Sequence, residues 1–396
     1  MASVISGLAS TLTSALSNLP APDKIQDADR MELLEVITQL QAALEPPQLP
    51  NQRFCFSHYG IVVIRIAQGM GVFDAFVESQ GKEMSLKELS SSVKGHEKLL
   101  RRIMRFLSAH HIFKQTTSDS YRPLPLAMVF GNGSVPGDMI KHFHTNMQVT
   151  AKLFDYFESN GYENPEDAYD APFQLAYNTK SHYFEWLSQN PTKQKDFNSV
   201  MTQSQKYRGA NWFEIYPVQE KLQVSADQVL LVDIGGGVGH DIMAFKKRFP
   251  DLPGKLVLQD LHQVIETIKE PLPEGITAIS HNMFEAQPIS GARAYYMRTV
   301  LHDFPDKQAL STLARIRDAM SKDFILFVHE HTMPEDLDVP PIAATLDIHM
   351  MEIFSSLERT EKEWIALLEK AGFKAVKVWN EDSVGQSTAL FEASLP

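Results

Sequence analysis

The segment Asp233-Ile234-Gly235-Gly236-Gly237-Val238-Gly239-His240 carries glycines at alternate positions 235, 237 and 239, with an acid two residues ahead of the first. Glycine tolerates positive φ and has no Cβ, so such a loop turns sharply and lets the backbone close on a ligand. A dinucleotide fingerprint would read G-x-G-x-x-G and set a helix N-terminus against a pyrophosphate. Here the spacing is G-x-G-x-G. The Asp233 carboxylate would repel a pyrophosphate but suits a ligand carrying an ammonium and a sulfonium. Asp260, at the end of the next apolar run, can accept hydrogen bonds from both hydroxyls of a ribose. Together these features favour S-adenosylmethionine over NAD, although the glycines alone would also serve a plain turn.

Of the 14 histidines, His302 stands where chemistry could use it. It follows the apolar run Ala294–Val300 and precedes a helix beginning near Asp306. Ligands of parallel sheets bind at the carboxyl ends of strands, and an imidazole titrates close to neutral pH. His329-Glu330-His331 invites a metal test. On a strand the two imidazoles share a face and Glu330 points away; two histidines without a third ligand make a poor zinc site. His142 and His144, in Lys141-His142-Phe143-His144, read first as surface or packed residues. Asp303 reads as a cap for the helix that follows it.

The elements that must position these groups fall into two textures. Residues 29–45 place Met31, Leu34, Val36, Ile37, Leu40 and Leu44 at helical spacing behind an Asp29 cap, and Pro46-Pro47 ends that helix. Ile61–Phe76 reads as an amphipathic helix that stalls near Gly69 and Gly71. Ser85 and Glu88 have capping-box spacing. Leu99, Leu100, Ile103, Met104 and Leu107 stripe a basic helix, and His111–Lys114 with Tyr121–Leu124 suggests a short hairpin. Helix, helix, helix, hairpin is winged-helix order, which offers either a DNA-binding head or a dimerisation module. The formal charge of −12, from 37 basic and 49 acidic residues, opposes nucleic acid and anionic lipid and favours dimerisation. Val62, Ile66, Phe73 and Phe76 are expected as its apolar contact patch.

Residues 136–225 look helical and rich in aromatics, among them Phe143, Phe154, Phe173, Tyr183, Phe184, Trp186, Phe197, Tyr207 and Trp212, which suits either ordinary helix packing or a pocket for a flat, apolar ligand. From 226 onward, apolar runs (Gln228–Asp233, Lys255–Asp260, Ala294–Met297, Phe324–Val328) alternate with helix candidates at 239–249, 261–269, 306–320 and 360–371. That alternation predicts an α/β, Rossmann-like, doubly wound and mainly parallel sheet. The expected domains are 1–130, helical and winged-helix-like; 131–225, a helical pocket segment; and 226–396, a cofactor-binding domain. A composition of 43% hydrophobic and 22% charged residues supports a buried core. Cys55 is the single cysteine, which excludes an internal disulfide. No apolar stretch reaches the roughly 18 residues of a membrane span, and Met1-Ala2-Ser3-Val4 is a poor signal leader, so a reducing, cytoplasmic location is expected.

Asp233–Gly239, Leu258-Gln259-Asp260-Leu261, His281-Asn282-Met283-Phe284, Leu301-His302-Asp303-Phe304 and Leu357-Glu358-Arg359-Thr360-Glu361 occur in this order. The series resembles the motifs of the class I, caffeate-type O-methyltransferases, in the branch found in fungal secondary metabolism, from about residue 55 to the end. The resemblance implies S-adenosylmethionine as cofactor, a homodimer formed through the N-terminal helices, and a small aromatic or polyketide-like acceptor. It makes cofactor-binding candidates of Asp233, Gly235, Gly236, Gly237, Gly239, Asp260, Leu261, Asn282, Met283, Phe284 and Arg298, with Asn282 and Met283 against the adenine. The family often has Asp at 282, Lys at 298 and Trp at 304, where this chain has Asn, Arg and Phe.

Methyl transfer from a sulfonium is an in-line displacement that needs a nucleophile rather than a metal. A phenol, with a pKa near 10, needs a base to take its proton. The resemblance makes His302 that base and sets Glu330 and Glu358 beside it, one holding the imidazole and the other shaping the substrate side. Members of the same branch resemble methyltransferases yet catalyse pericyclic reactions. In one such pericyclase a working histidine aligns with His142, but an arginine stands where this chain keeps His302. Methyl transfer is therefore the leading expectation, with a pericyclase on the same cofactor as the alternative.

Overall fold

The computed structural model describes residues 2–21, 24–206, 211–335, 339–380 and 388–396. The chain forms two compact units, Met1–Gly60 and Ile61–Pro396, the second running continuously through the expected boundaries at 130 and 225. The first unit holds α1 (Ala2–Ser17), α2 (Asp27–Leu44) and α3 (Gln48–Phe56). Asp29 does not cap α2. Gln26 takes that position without a side-chain bond, and Asp27 and Asp29 lie in the first turn, where their charge complements the helix dipole.

The second unit begins within α4 (Tyr59–Met70), followed by α5 (Val72–Glu78), β1 (Met84–Ser85), α6 (Leu86–Ser92), α7 (Glu97–Ala109), β2 (Phe113–Gln115) and β3 (Ser120–Pro123). The anticipated stall is a break at Gly71 (φ 85°), and the Ser85–Glu88 capping box is present. The hairpin is present too, with β1 as a third strand in the order β1-β3-β2. Phe73 and Phe76 correct the expected contact patch. Both are 0% exposed, their rings lying 6.0 and 4.8 Å from that of Phe113. Because the helix restarts at Gly71 with its own phase, the stripe of α4 does not continue into α5. Ile66, 39% exposed, remains outside while Phe73 and Phe76 turn into the core beside Leu100, Ile103, Met104 and Leu107.

The middle of the chain is helical: α8 (Val135–Thr150), α9 (Leu153–Ser159), α10 (Pro172–Tyr177), α11 (Tyr183–Ser188), α12 (Pro191–Lys206), α13 (Trp212–Ile215) and α14 (Val218–Lys221). Its aromatics divide. Phe173, Tyr183, Phe184, Trp186 and Phe197 cluster together, whereas Trp212 stacks on Phe245 (5.4 Å between centroids) beneath the sheet. Tyr207 lies outside the described residues.

The remainder is β4 (Val229–Ile234), α15 (His240–Arg248), β5 (Lys255–Asp260), α16 (His262–Ile265), β6 (Ile276–Ser280), β7 (Ala294–Arg298), α17 (Asp306–Ala319), β8 (Ile325–His331), α18 (Pro341–Phe354), α19 (Glu361–Lys370), β9 (Lys374–Asn380) and β10 (Thr388–Ser394). The sheet order is β6-β5-β4-β7-β8-β10-β9. β4 to β8 are parallel, and β10 is antiparallel to both β8 and β9. Alternate residues feed two layers: Val232, Ile234, Tyr295, Met297, Leu326 and Val328 on one face, Leu231, Leu258, Tyr296 and Phe327 on the other. The predicted helix at 261–269 shrinks to α16. Chain order reverses between β4 and β7, and in doubly wound sheets that crevice receives the ligand. No single helix among the described residues is long and apolar enough to cross a membrane.

Phe73 tests the corrected core. Phe73→Ala should lower unfolding stability by about 3–5 kcal/mol, the usual cost of emptying a packed phenyl site, as measured by chemical denaturation. A change below about 1 kcal/mol would restore Phe73 to the surface.

Candidate active site

The glycine loop leaves β4 and folds over the end of β5. The amides of Gly235 and Gly236 donate to the Gln259 carbonyl at 2.8 and 3.2 Å. A Cβ on Gly236 would come within 2.6 Å of Leu258 Cδ1, and one on Gly235 (φ 70°) within 2.8 Å of Val300 Cγ2. Side chains are excluded there by contact, not only by φ. The Asp260 carboxylate accepts from the amides of Gly237 (2.8 Å) and Leu261 (2.7 Å). Burial raises its pKa, and the two amides oppose that rise. Four lone pairs and two bonds leave capacity for a diol.

The remaining cofactor candidates gather around this loop. The His281 amide donates to the Asp260 carbonyl (2.9 Å), which ties the Asn282–Phe284 turn to β5. Asn282 Oδ1 accepts from the Phe284 amide (3.1 Å), and the Phe284 ring stands edge-on to Phe304 (5.3 Å). Met283 packs half-buried against the core. Arg298 is buried at the end of β7, 3.6 Å from Asp241 in the first turn of α15, so its charge braces the helix that the glycine loop opens.

The second group lies past β7 and β8. His302 sits in a 3₁₀ turn, Leu301–Asp303. Its Nδ1 is 3.3 Å from Glu358 Oε1 and its Nε2 is 3.6 Å from Asp303 Oδ1. Burial alone would lower the imidazole pKa. The carboxylates of Asp303, Glu358 and Glu330 outweigh burial and raise it to about 10. Burial lifts Asp303 to about 6 and Glu330 to about 7. Glu358, also pushed up by burial, is held below the ordinary carboxylate range by the His302 hydrogen bond and charge.

Of the two glutamates expected beside the imidazole, one of them to hold it, Glu358 is the one that meets the ring. Glu330, 0% exposed, turns Oε1 to the amides of Val300 (3.0 Å) and Leu301 (2.8 Å) and grips the backbone just before His302. Asp303 caps nothing: α17 starts behind Pro305 with no side-chain cap, and the Asp303 carboxylate faces the imidazole instead. Among the described residues, no group of three or more His, Cys, Asp or Glu is arranged to hold a metal. His329 reaches the Tyr296 hydroxyl (3.2 Å), and the His331 ring lies 6.0 Å from that of His302.

His142 belongs to a different group. It is buried on α8 with Nε2 3.1 Å from Asn146 Nδ2, and burial, then the neighbouring His349 and Lys193, push its pKa down to about 4. His349 meets Glu352 at 3.0 Å. His182, which the sequence did not single out, stacks on Phe304 (5.2 Å) while its Nδ1 accepts from the Phe184 amide.

The Glu330 bonds give a direct test. Glu330→Ala leaves two buried amides without an acceptor, at about 1–3 kcal/mol each, so exchange at Val300 and Leu301 should accelerate. Glu330→Gln keeps an accepting oxygen and should leave their protection near that of the native protein. Equal protection in the alanine variant would contradict this account.

Residues 156–374 match the O-methyltransferase domain family, and residues 52–132 match the O-methyltransferase dimerisation domain. Demethylsterigmatocystin 6-O-methyltransferase of Aspergillus parasiticus is 32% identical over 366 residues, covering 92% of this chain and 93% of that one. Two solved structures, each 28% identical, superpose over 100% of both chains: LepI in complex with SAM (TM-score 0.83) and a pericyclic reaction enzyme (TM-score 0.82). The chain belongs to the O-methyltransferase family, enzymes whose methyl donor is S-adenosylmethionine.

Proposed function

We propose that this enzyme methylates a hydroxyl on an aromatic or polyketide-like small molecule of secondary metabolism, with His302 as the general base. The observation that carries the reading is an imidazole at the end of β7 with Glu358 at Nδ1 and Asp303 at Nε2. Asp260 and the glycine loop would hold the ribose and the methionine portion, and Asn282 and Met283 the adenine. The bound donor supplies an electrophilic methyl group on a sulfonium. Glu358 fixes the imidazole, Glu330 fixes the backbone beneath it, and His302 takes the acceptor proton from its neutral form.

Because the carboxylates hold His302 protonated to about pH 10, the neutral base grows as pH rises, and kcat/KM should climb across the neutral and alkaline range. Asp303→Asn removes the largest raising charge and should move that limb to lower pH. His302→Ala should cost about 10²–10⁴-fold in methyl transfer with donor affinity by calorimetry unchanged. An unmoved limb in Asp303→Asn, or near-native turnover in His302→Ala, would sink the assignment.

The likeness to a pericyclic reaction enzyme over the full chain, together with the buried His142, favours one second reading: a pericyclase that keeps the cofactor through many cycles. The ratio of S-adenosylhomocysteine to product separates the two. A ratio near one supports methyl transfer; a ratio near zero with continuing turnover supports the pericyclase.

The same reading makes the protein a cytoplasmic homodimer joined through the 52–132 region, with a small molecule rather than nucleic acid as its partner. Sedimentation should give twice the 44.7 kDa chain mass. A stable 44.7 kDa species at micromolar concentration would contradict the dimer.

A further inference from the structure

Arg359 is among the largest fully buried side chains in the protein, 1% exposed. A guanidinium keeps its charge inside a protein only if its donors are taken up. Its Nη2 donates to the Phe304 carbonyl (3.0 Å) and to Asp306 Oδ1 (2.9 Å), Nη1 reaches the Leu301 carbonyl (3.4 Å), and Nε reaches Asp306 Oδ1 (3.3 Å). The guanidinium carbon lies 4.7 Å over the Trp364 ring. Ser356 Oγ donates to the carbonyl of His302 itself. With Glu330 on the amides of Val300 and Leu301, the turn that presents His302 is gripped from both sides.

The turn needs the grip. It opens at Thr299, a β-branched residue at φ +47°, a conformation that costs about 1–3 kcal/mol and persists only where its surroundings impose it. Arg359 is also fixed through its own backbone, since the Met333 amide donates to its carbonyl (2.9 Å) just beyond β8. Its neighbour Glu358 carries the carboxylate that meets His302.

We propose that Arg359 is a positioning residue: its guanidinium spans the Leu301 and Phe304 carbonyls and so sets the distance between His302 and Glu358. The inference rests on the acid–base reading of that pair. Two carbonyls flanking one turn call for two donors in a rigid plane, which lysine cannot offer.

The test uses full-length, histidine-labelled protein bound to S-adenosylhomocysteine, with the His302 resonance assigned through His302→Gln. In Arg359→Lys the fold and the S-adenosylhomocysteine affinity should stay native. The His302 titration midpoint should fall by about one pH unit or more as Glu358 slips from contact, and methyl transfer, where followed, should drop on the order of 10²-fold. Asp306→Asn leaves both carbonyl bonds in place and should leave the midpoint where it is. A folded Arg359→Lys with a native midpoint would overturn the proposal, as would an equal shift in Asp306→Asn, which would trace the effect to charge alone. If Arg359→Lys fails to fold, Ser356→Ala carries the test. It removes only the bond to the His302 carbonyl and should shift the midpoint in the same direction; no shift there overturns the proposal. The titration midpoint and the S-adenosylhomocysteine affinity require no acceptor turnover, so a failed methyl-transfer assignment would be recognised separately.

Discussion

A histidine taken out of water gives up its proton unless negative charge goes in with it. That constraint organises the space around His302. The carboxylates of Asp303, Glu330 and Glu358 surround the imidazole, and each must itself be reconciled with burial. Glu358 stays ionised by bonding the ring, while its own amide donates to Asp347 (2.8 Å). Glu330 is accommodated by two backbone amides. Asp303 holds its proton more readily than an ordinary aspartate because it is buried and Glu358 repels its charge. One imidazole therefore sits among three acids with three different proton affinities, so the group that gains or loses a proton is set by geometry.

Such a cluster can be built only where several chain segments end together, and the sheet order supplies that place. The glycine loop and Asp260 follow β4 and β5, the His302 turn follows β7, and Glu330 closes β8. The loop after α18 then brings in Ser356, Glu358 and Arg359. Val300 links the halves: it lies against the position a Gly235 side chain would occupy, and its amide is bound by Glu330. The glycine loop and the His302 cluster thus share one residue, which meets the loop with its side chain and Glu330 with its amide.

Much of this was legible in the sequence because it is locally encoded. The alternate glycines, the apolar runs of β4, β5, β7 and β8, and the Ser85–Glu88 cap each depend on a few adjacent residues. What escaped depends on distant ones. Ile276–Ser280 is a short edge strand, and Lys374–Asn380 and Thr388–Ser394 pair antiparallel across a polar interval, so neither stands out as a continuous apolar run. Phe73 and Phe76 look the same on a helical wheel whether they meet a partner or their own hairpin; the break at Gly71 decides, by resetting the helix phase. Asp303 precedes a helix at plausible capping distance, but Pro305 takes the N-terminal position and leaves the aspartate free to face His302. Arg359 was visible within a motif, yet nothing in its sequence neighbours marks it as buried.

The two amide bonds received by Asp260 bear on how much ordering the glycine loop still needs. The Gly237 amide is fastened to the carboxylate, so part of the loop's ordering is met within the chain itself. Ordering a flexible backbone costs about 1–2 kcal/mol for each residue, a cost that otherwise comes out of the binding energy. A loop of this composition would be expected to flicker among many shapes. Here the amides of Gly235, Gly236 and Gly237 are each bonded within the chain, which restricts that freedom.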